Sequence, residues 1–369
     1  MFDRRLVSHI NWGLLILTAI LFLVGVMNLY SASTLRVASG VELDSYFKKQ
    51  LLWGGAGLCA MTALLLVDYR HLKSVSWPYF FLCLALLLGV SVAGKTIYGA
   101  KRWLDLGFFN LQPTELAKIA VLILGARLMA RMEGRLGWVS LGKALLIGLV
   151  PAAFVFKQPD LGSALNILLI LGGMILFKGI TSGVFKVLVV ALPSLLPFGW
   201  FFLHDYQKQR ILTFLDPGND PLGAGYHIIQ SQIAIGSGGF WGKGFLEGTQ
   251  SQLRFLPEKH TDFAFAVFGE EWGFCGAMVL LVLFCSFLYQ IYIISMEAKD
   301  DFGSYIAAGV FFYFFWQILI NMGMVLGIMP VVGIPLPFIS YGGSASLVNF
   351  CMIGLVLNVA MRRFVFKKG

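Results

Sequence analysis

The octapeptide Leu256–Phe263, LPEKHTDF, sets Glu258, Lys259, His260 and Asp262 within five positions of one another. It closes a polar stretch, His204 to Glu271, that also gathers Arg210, Asp216, Asp220, Lys243, Glu247 and Arg254. A chain that is otherwise strongly apolar has little reason to keep so many ionisable groups together unless they meet something polar. The chemistry is to be sought in this stretch.

Further charged residues invite a second reading. Pro113 sits where a helix begins, since proline is tolerated in the first turn, and Glu115 and Lys118 follow it, three apart and so on one helical face. An acid there is favoured by the helix dipole and the lysine can reach outward to water; equally, the two can pair at the floor of a cavity open to the outside. Spacing does not separate these readings. Asp160, in KQPDLGSA, reads either as an N-cap after proline or as a charge pointing into the same cavity. Arg210, in DYQKQRILTF, is either a solvated loop charge or a fixed guanidinium suited to bidentate contact with a phosphate. Arg102 belongs to a connector, about 94–112, whose glycines and aromatics beside Lys101, Arg102 and Asp105 predict an ordered surface loop.

The elements that must position these residues are read from composition and periodicity. Apolar residues make up 58% of the 369 and charged residues only 13%. A soluble domain runs nearer a quarter charged, so this is an integral membrane protein. At about 20 residues per spanning helix, the length accommodates roughly ten spans and one large loop. Hydrophobic runs lie near 10–31, 50–68, 75–94, 113–131, 140–157, 160–178, 182–203, 271–296, 303–327 and 340–361. The expected fold is all-α and polytopic: one integral membrane domain over 1–369, with a large extracytoplasmic loop, 204–270, between helices 7 and 8.

The net charge of +9 does not call for nucleic acid, because polytopic proteins concentrate basic residues in their cytoplasmic connectors. With a cytoplasmic N-terminus, the inner connectors carry 15 of the 28 lysines and arginines and six of the 19 acids. An even number of spans returns the C-terminus to the cytoplasm and leaves the long loop outside. The first run follows Arg4 and Arg5, extends past about twenty residues and shows no small-residue cleavage site, so it reads as a spanning helix and not a cleaved signal. Cys59, Cys83, Cys275, Cys285 and Cys351 all fall in hydrophobic runs without CxxC spacing and read as buried small apolar residues.

Two glycine-rich stretches complete the picture. Asp220–Phe245 forms neither a Walker A loop nor a GxGxxG in a βαβ setting, which excludes nucleotide binding on those motifs. Its centre, Tyr226 to Ile235, has the apolar spacing of a short amphipathic interfacial helix. The last outer connector, MPVVGIPLPFISYGGSAS, carries Pro330, Pro335 and Pro337. Such irregular backbone survives at membrane depth only where protein or a cavity satisfies it. The pair Gly342–Gly343 permits close helix packing.

Several blocks together resemble a known family. They are LYSAS at 29–33, KRWLDLGFFNLQPTELAK at 101–118, QPDLGSA at 158–164 and YQKQRILTFLDP at 206–217. They continue with GYHIIQSQIAIGSGGFWGKGF at 225–245, LPEKHTDFAFAVFGEEWGF at 256–274 and GIMPVVGIPLPFISYGGSA at 327–345. In order and over nearly the whole chain, the sequence is similar to the SEDS family (shape, elongation, division and sporulation), more to its RodA branch than to the division branch, FtsW. In FAFAVFGEEWG, alanine and phenylalanine stand among commoner aliphatics, a packing change that leaves the acid untouched.

The resemblance implies a ten-helix glycosyltransferase of the bacterial inner membrane. It would join lipid II, a disaccharide-pentapeptide on a polyprenyl diphosphate, into peptidoglycan strands for cell elongation, working with a class B penicillin-binding protein. It places the essential aspartate at Asp262 and makes Glu115 and Lys118 important in a central cavity. Attack of a sugar 4-hydroxyl on an anomeric carbon with inversion needs one general base and no second, nucleophilic carboxylate. Asp262 is the expected base, a role worth about 10²–10⁴-fold. The departing diphosphate calls for cations: Arg102, Lys118, Arg210, or a divalent ion such as Mg²⁺ or Mn²⁺ that Glu115 or Asp160 would help to hold. The metal ligands are not assigned by spacing, and no organic cofactor is expected. The chief competing reading is a lipid II flippase, with Glu115, Lys118 and Asp160 lining a path; against it, the inner connectors are short and simply basic. A third is a non-catalytic scaffold that recruits wall-synthesis partners.

Overall fold

Helices begin where the sequence supplies a capping group. In the computed structural model, Asn11 accepts the N–H of Leu14 at 2.9 Å to open α1 (Trp12–Ser33). Asp160 accepts that of Ser163 at 3.2 Å to open α6 (Leu161–Lys178), and Asp300 accepts that of Gly303 at 2.8 Å to open α12 (Asp301–Val325). Each satisfies one of the donors that a helix start leaves unpaired. α4 (Pro113–Arg131) starts on proline, with Glu115 in its first turn and Arg131 in its last, both favoured by the helix dipole. The structure describes residues 9–37, 40–43, 46–97, 100–105, 107, 110–203, 205–219, 223–253, 255–256 and 258–363. Arg4, Arg5, His204, Asp220 and Arg254 of the sequence reading lie outside them.

The remaining long helices are α2 (Tyr46–Leu66), α3 (Leu72–Ala93), α5 (Trp138–Lys157), α7 (Ser182–Phe202), α11 (Ala264–Met296) and α13 (Gly343–Met361). Among the described residues, a long helix overlies each of the expected hydrophobic runs. Among the described residues, eight of these helices are long and apolar enough to cross a membrane. The other two are α4, which carries Glu115, Lys118, Arg127 and Arg131, and α7, whose apolar stretch is the shorter Ser182–Ala191. The chain is thus a polytopic helical membrane protein.

Burial sorts the helices. α4, α12 and α13 are buried around most of their circumference and form the centre, whereas α1, α2 and α3 bury a narrow stripe and expose large apolar side chains such as Leu52, Leu66, Phe81 and Val92. Apolar residues on an outer face match lipid as solvent. α13 lies along α2, where a side chain on Gly343 would overlap the Trp53 ring, so the glycine does serve close packing.

The connectors at one end of the bundle are structured. Thr34–Val37 (β1) and Gly40–Leu43 (β2) form an antiparallel hairpin with Thr34 opposite Leu43. The connector expected as an ordered loop is a small antiparallel sheet of Lys95–Ile97 (β3), Ala100–Asp105 (β4) and Asn110–Leu111 (β5). The polar stretch beyond His204 is largely helical: α8 (Asp205–Leu215), α9 (Ala224–Gly238), which contains the expected Tyr226–Ile235 helix, and α10 (Thr249–Gln252). α11 starts seven residues before the run predicted from 271. Its front part is separated from the rest at Gly273, where φ of 60° and ψ of −162° leave the helical range. Sequence periodicity sees only the apolar portion beyond that break.

The irregular connector 326–342 is held by protein, as backbone at such depth requires. Asn321 Nδ2 donates to the Ile334 carbonyl at 2.8 Å, Leu336 N donates to Ser340 Oγ at 2.9 Å, and Tyr341 N donates to the His260 carbonyl at 2.7 Å.

Candidate active site

The connector 329–342 is the surface on which the site is assembled, because three other segments close on it. α6 packs so tightly there that a side chain on Gly162 would overlap the Val332 carbonyl. Arg210, on α8, donates from Nη1 to the Val331 carbonyl at 3.1 Å. Asn321 Nδ2, besides holding Ile334, donates to the Asp262 carbonyl at 2.9 Å. The LPEKHTDF turn is fixed from its other side by His260, whose ring stacks on Tyr46 with centroids 4.4 Å apart.

Asp262 ends this turn, two residues before α11 begins, and is half-buried. Burial, then the Glu258 carboxylate, push its carboxyl up to about 6; Arg210 pulls it down, Asp160 raises it, and Arg102 lowers it. Glu258 is exposed, and its own backbone is left-handed at φ 47°. That turn lets its carbonyl accept the N–H groups of Thr261 (3.1 Å) and Phe263 (3.3 Å), curling the chain around Asp262.

Arg102 reaches across from β4 and bonds the carbonyls of Gln158 (3.4 Å) and Pro159, with its guanidinium 3.8 Å from Asp160 Oδ1. Asp160 is therefore both the N-cap of α6 and the partner of Arg102; the two sequence readings are not exclusive. Arg102, Asp160, Arg210 and Asp262, drawn from four distant motifs and expected around one reaction, act on one another as one electrostatic group.

Glu115 and Lys118 form a second centre. Lys118 Nζ donates to Glu115 Oε1 at 2.6 Å, with both side chains about 4% exposed. Lys118 also lies over the Tyr313 ring, 5.8 Å from its centroid, and the Tyr313 hydroxyl donates to Asn349 Oδ1 at 2.8 Å. The surface-reaching lysine is thus corrected to a buried pair: α4 is enclosed on nearly all sides, which leaves no route for Lys118 to water. Its charge is met by Glu115, and neither residue is among the leading influences on Asp262.

The described donors do not cluster as a metal site. Among the described residues no three His, Cys, Asp or Glu side chains converge as ligands. Asp160 is engaged by Ser163 N–H and Arg102, and Glu115 by Lys118. Sequence reading overlooked Asn321 and also Gly333, where an added methyl would stand 3.4 Å from Asp262 Oδ2. The first had a signal, a lone amide in the apolar run QILINMG; the second had none.

Comparison with known proteins places the chain. Residues 12–364 match the family model of FtsW, RodA and SpoVE, described as cell cycle proteins. The peptidoglycan glycosyltransferase MrdB of Escherichia coli K12 is 42% identical over 355 residues, 95% of each chain. The peptidoglycan glycosyltransferase RodA of Treponema pallidum is 31% identical, over 97% of this chain and 99% of its own. Among solved structures, a chain of a peptidoglycan synthase complex that coordinates polymerization and crosslinking superposes with a TM-score of 0.82 at 30% identity, covering 97% of this chain and 99% of its own. RodA of Thermus thermophilus superposes with a TM-score of 0.70 at 28% identity, covering 97% and 98%. The chain belongs to the FtsW/RodA/SpoVE family of cell cycle proteins, on its RodA side.

Proposed function

We propose that Asp262 is the general base of this peptidoglycan glycosyltransferase, and that its substrate is lipid II. The carboxylate takes the proton of an acceptor sugar 4-hydroxyl as that oxygen bonds to the anomeric carbon of the donor. The donor's bond to diphosphate breaks, and its electron pair leaves on the diphosphate. The observation that carries the reading is the setting of Asp262: half-buried, raised to about 6, with two arginines beside it. At neutral pH such a group is ionised yet remains a competent base.

Arg102 and Arg210 supply the positive charge that meets the diphosphate as it departs. Asp160 holds Arg102 in place, while Glu115 and Lys118 form a separate buried pair in the first turns of α4.

The site lies outside the inner membrane, with both termini in the cytoplasm. Supporting this, Arg70, Arg127, Arg131, Lys178, Arg362 and Arg363 all fall at the helix ends opposite Asp262, as expected for cytoplasmic connectors. The segment 204–270 is the outer loop of a single membrane domain. The partner is a class B penicillin-binding protein, which crosslinks the strands.

The test is polymerisation of lipid II by purified protein and its partner in detergent, where transport has no meaning. The wild type should make glycan strands, and Asp262→Asn should bind lipid II but make none. Near-normal polymer from the variant removes Asp262 from the base role; absence of polymer from the wild type returns the flippase reading.

A further inference from the structure

The break in α11 is filled by another part of the chain. Around Gly273 the helix leaves backbone groups unpaired, and segment 239–244 takes up four of them. Phe274 N donates to the Gly239 carbonyl (2.9 Å) and Cys275 N to that of Phe240 (3.1 Å). In the other direction, Lys243 N donates to the Glu270 carbonyl (3.1 Å) and Gly244 N to that of Glu271 (3.0 Å). Loop 239–244 therefore clasps α11 on both sides of the break.

Glu270 adds a side-chain knot to this seam. Its carboxylate is fully buried. Oε1 accepts from Lys243 Nζ (2.7 Å), Thr249 Oγ1 (3.1 Å) and the N–H of Gln250 (3.0 Å), and Oε2 accepts from the N–H of Ser251 (3.3 Å). The carbonyl of the same Ser251 accepts from Lys259 Nζ at 2.6 Å, and Lys259 is itself buried. Lys259 stands three residues before Asp262. A ring closes: the covalent chain runs from Lys259 through Asp262 to Glu270, and the return runs from Glu270 through Ser251 to Lys259.

We propose that Glu270 is a positioning residue for Asp262, acting through this ring. A buried carboxylate that accepts four hydrogen bonds, one from an ammonium, is a strong tether, and it pins the two ends of the arc on which Asp262 lies. Misplacing a reacting group by about 1 Å costs on the order of 10²-fold in rate, so loosening the ring lowers turnover without touching substrate. The proposal rests on Asp262 being the base, but the ring has a readout of its own.

The experiment uses the full-length protein with its penicillin-binding partner and lipid II. Glu270→Gln keeps the size of the side chain but turns an amide donor toward groups that are themselves donors. We expect kcat to fall about 10- to 100-fold with KM within a factor of about two, and amide hydrogen exchange over 256–263 to quicken. Lys259→Met, which opens the ring at another link, should give the same pattern. The double variant should lose no more than the worse single one, because one ring is already open. Normal kcat in a folded Glu270→Gln protein, multiplicative losses in the double variant, or unchanged exchange over 256–263 would each overturn the proposal. Should Glu270→Gln not fold, Lys259→Met decides on kcat and exchange. Polymerisation by Asp262→Asn would sink the base assignment, whereas the exchange measurement judges the ring independently.

Discussion

A methyl group on Gly333 would stand 3.4 Å from Oδ2 of Asp262. The bare backbone of the connector thus forms part of the wall against which the carboxylate rests, and Gly333 holds φ at 74°, where L side chains are strained. Gly333→Ala combines both effects. It should cost about 1–2 kcal/mol of stability from the left-handed backbone and lower kcat. Gly172→Ala, in a helix with nothing within 4 Å, should be neutral or slightly stabilising. Thermal melts and polymerisation rates of the two variants check this.

Activity should fall as pH drops through about 6, where Asp262 takes up its proton. Its neighbours set where this happens. Glu258→Gln removes a negative charge that raises the Asp262 carboxyl, so the acid limb moves to lower pH. Arg210→Gln removes a positive charge that lowers it, so the limb moves to higher pH. A pH–rate profile of kcat/KM for each variant reads the shifts, and movement of both in one direction would contradict the arrangement around Asp262.

The same raised carboxyl makes Asp262 a liability for stability. Ionising it in the folded protein is harder than in the unfolded chain, so stability is lost as pH rises from about 4, its ordinary value, to about 6. Asp262→Asn should abolish that loss and melt higher than the wild type at pH 7, the usual exchange of stability for activity. Melting curves at pH 4 and pH 7 test it: the gap between variant and wild type should be wide at pH 7 and small at pH 4.

The Glu115–Lys118 pair should behave as a buried ion pair. Lys118→Met alone leaves an uncompensated carboxylate and Glu115→Leu alone an uncompensated ammonium, each costing about 3–5 kcal/mol. The double variant leaves no buried charge and should recover most of the melting temperature. Equal melting temperatures for the singles and the double would show that the two residues do not depend on one another.

Hydrophobic length alone located the long helices, because a membrane span needs a fixed run of apolar residues whatever its partners. Asp160 and Pro113 marked helix starts through local capping chemistry. The seven-residue error at the start of α11 arises because the end of its front stretch, at Glu270 and Glu271, is bonded to loop 239–244, a contact between distant segments that periodicity does not carry. That Arg102, Asp160 and Arg210 belong with Asp262 was legible from the motifs and the chemistry they imply; the contacts that bring them together were not, since they depend on the course of the 329–342 connector. Lys118 shows the limit most plainly. Its spacing from Glu115 permitted either a surface charge or a buried pair, and only the packing of α12 and α13 around α4 decides between them.

The break at Gly273 is braced, not loose. Loop 239–244 bonds the Glu270 and Glu271 carbonyls ahead of the glycine and the N–H groups of Phe274 and Cys275 behind it, so one strap of backbone clasps α11 on both sides of its bend. The glycine thus fixes a change of direction in the chain and does not act as a free joint. The working carboxylate, two residues ahead of α11, is carried by a bent helix whose bend is itself held.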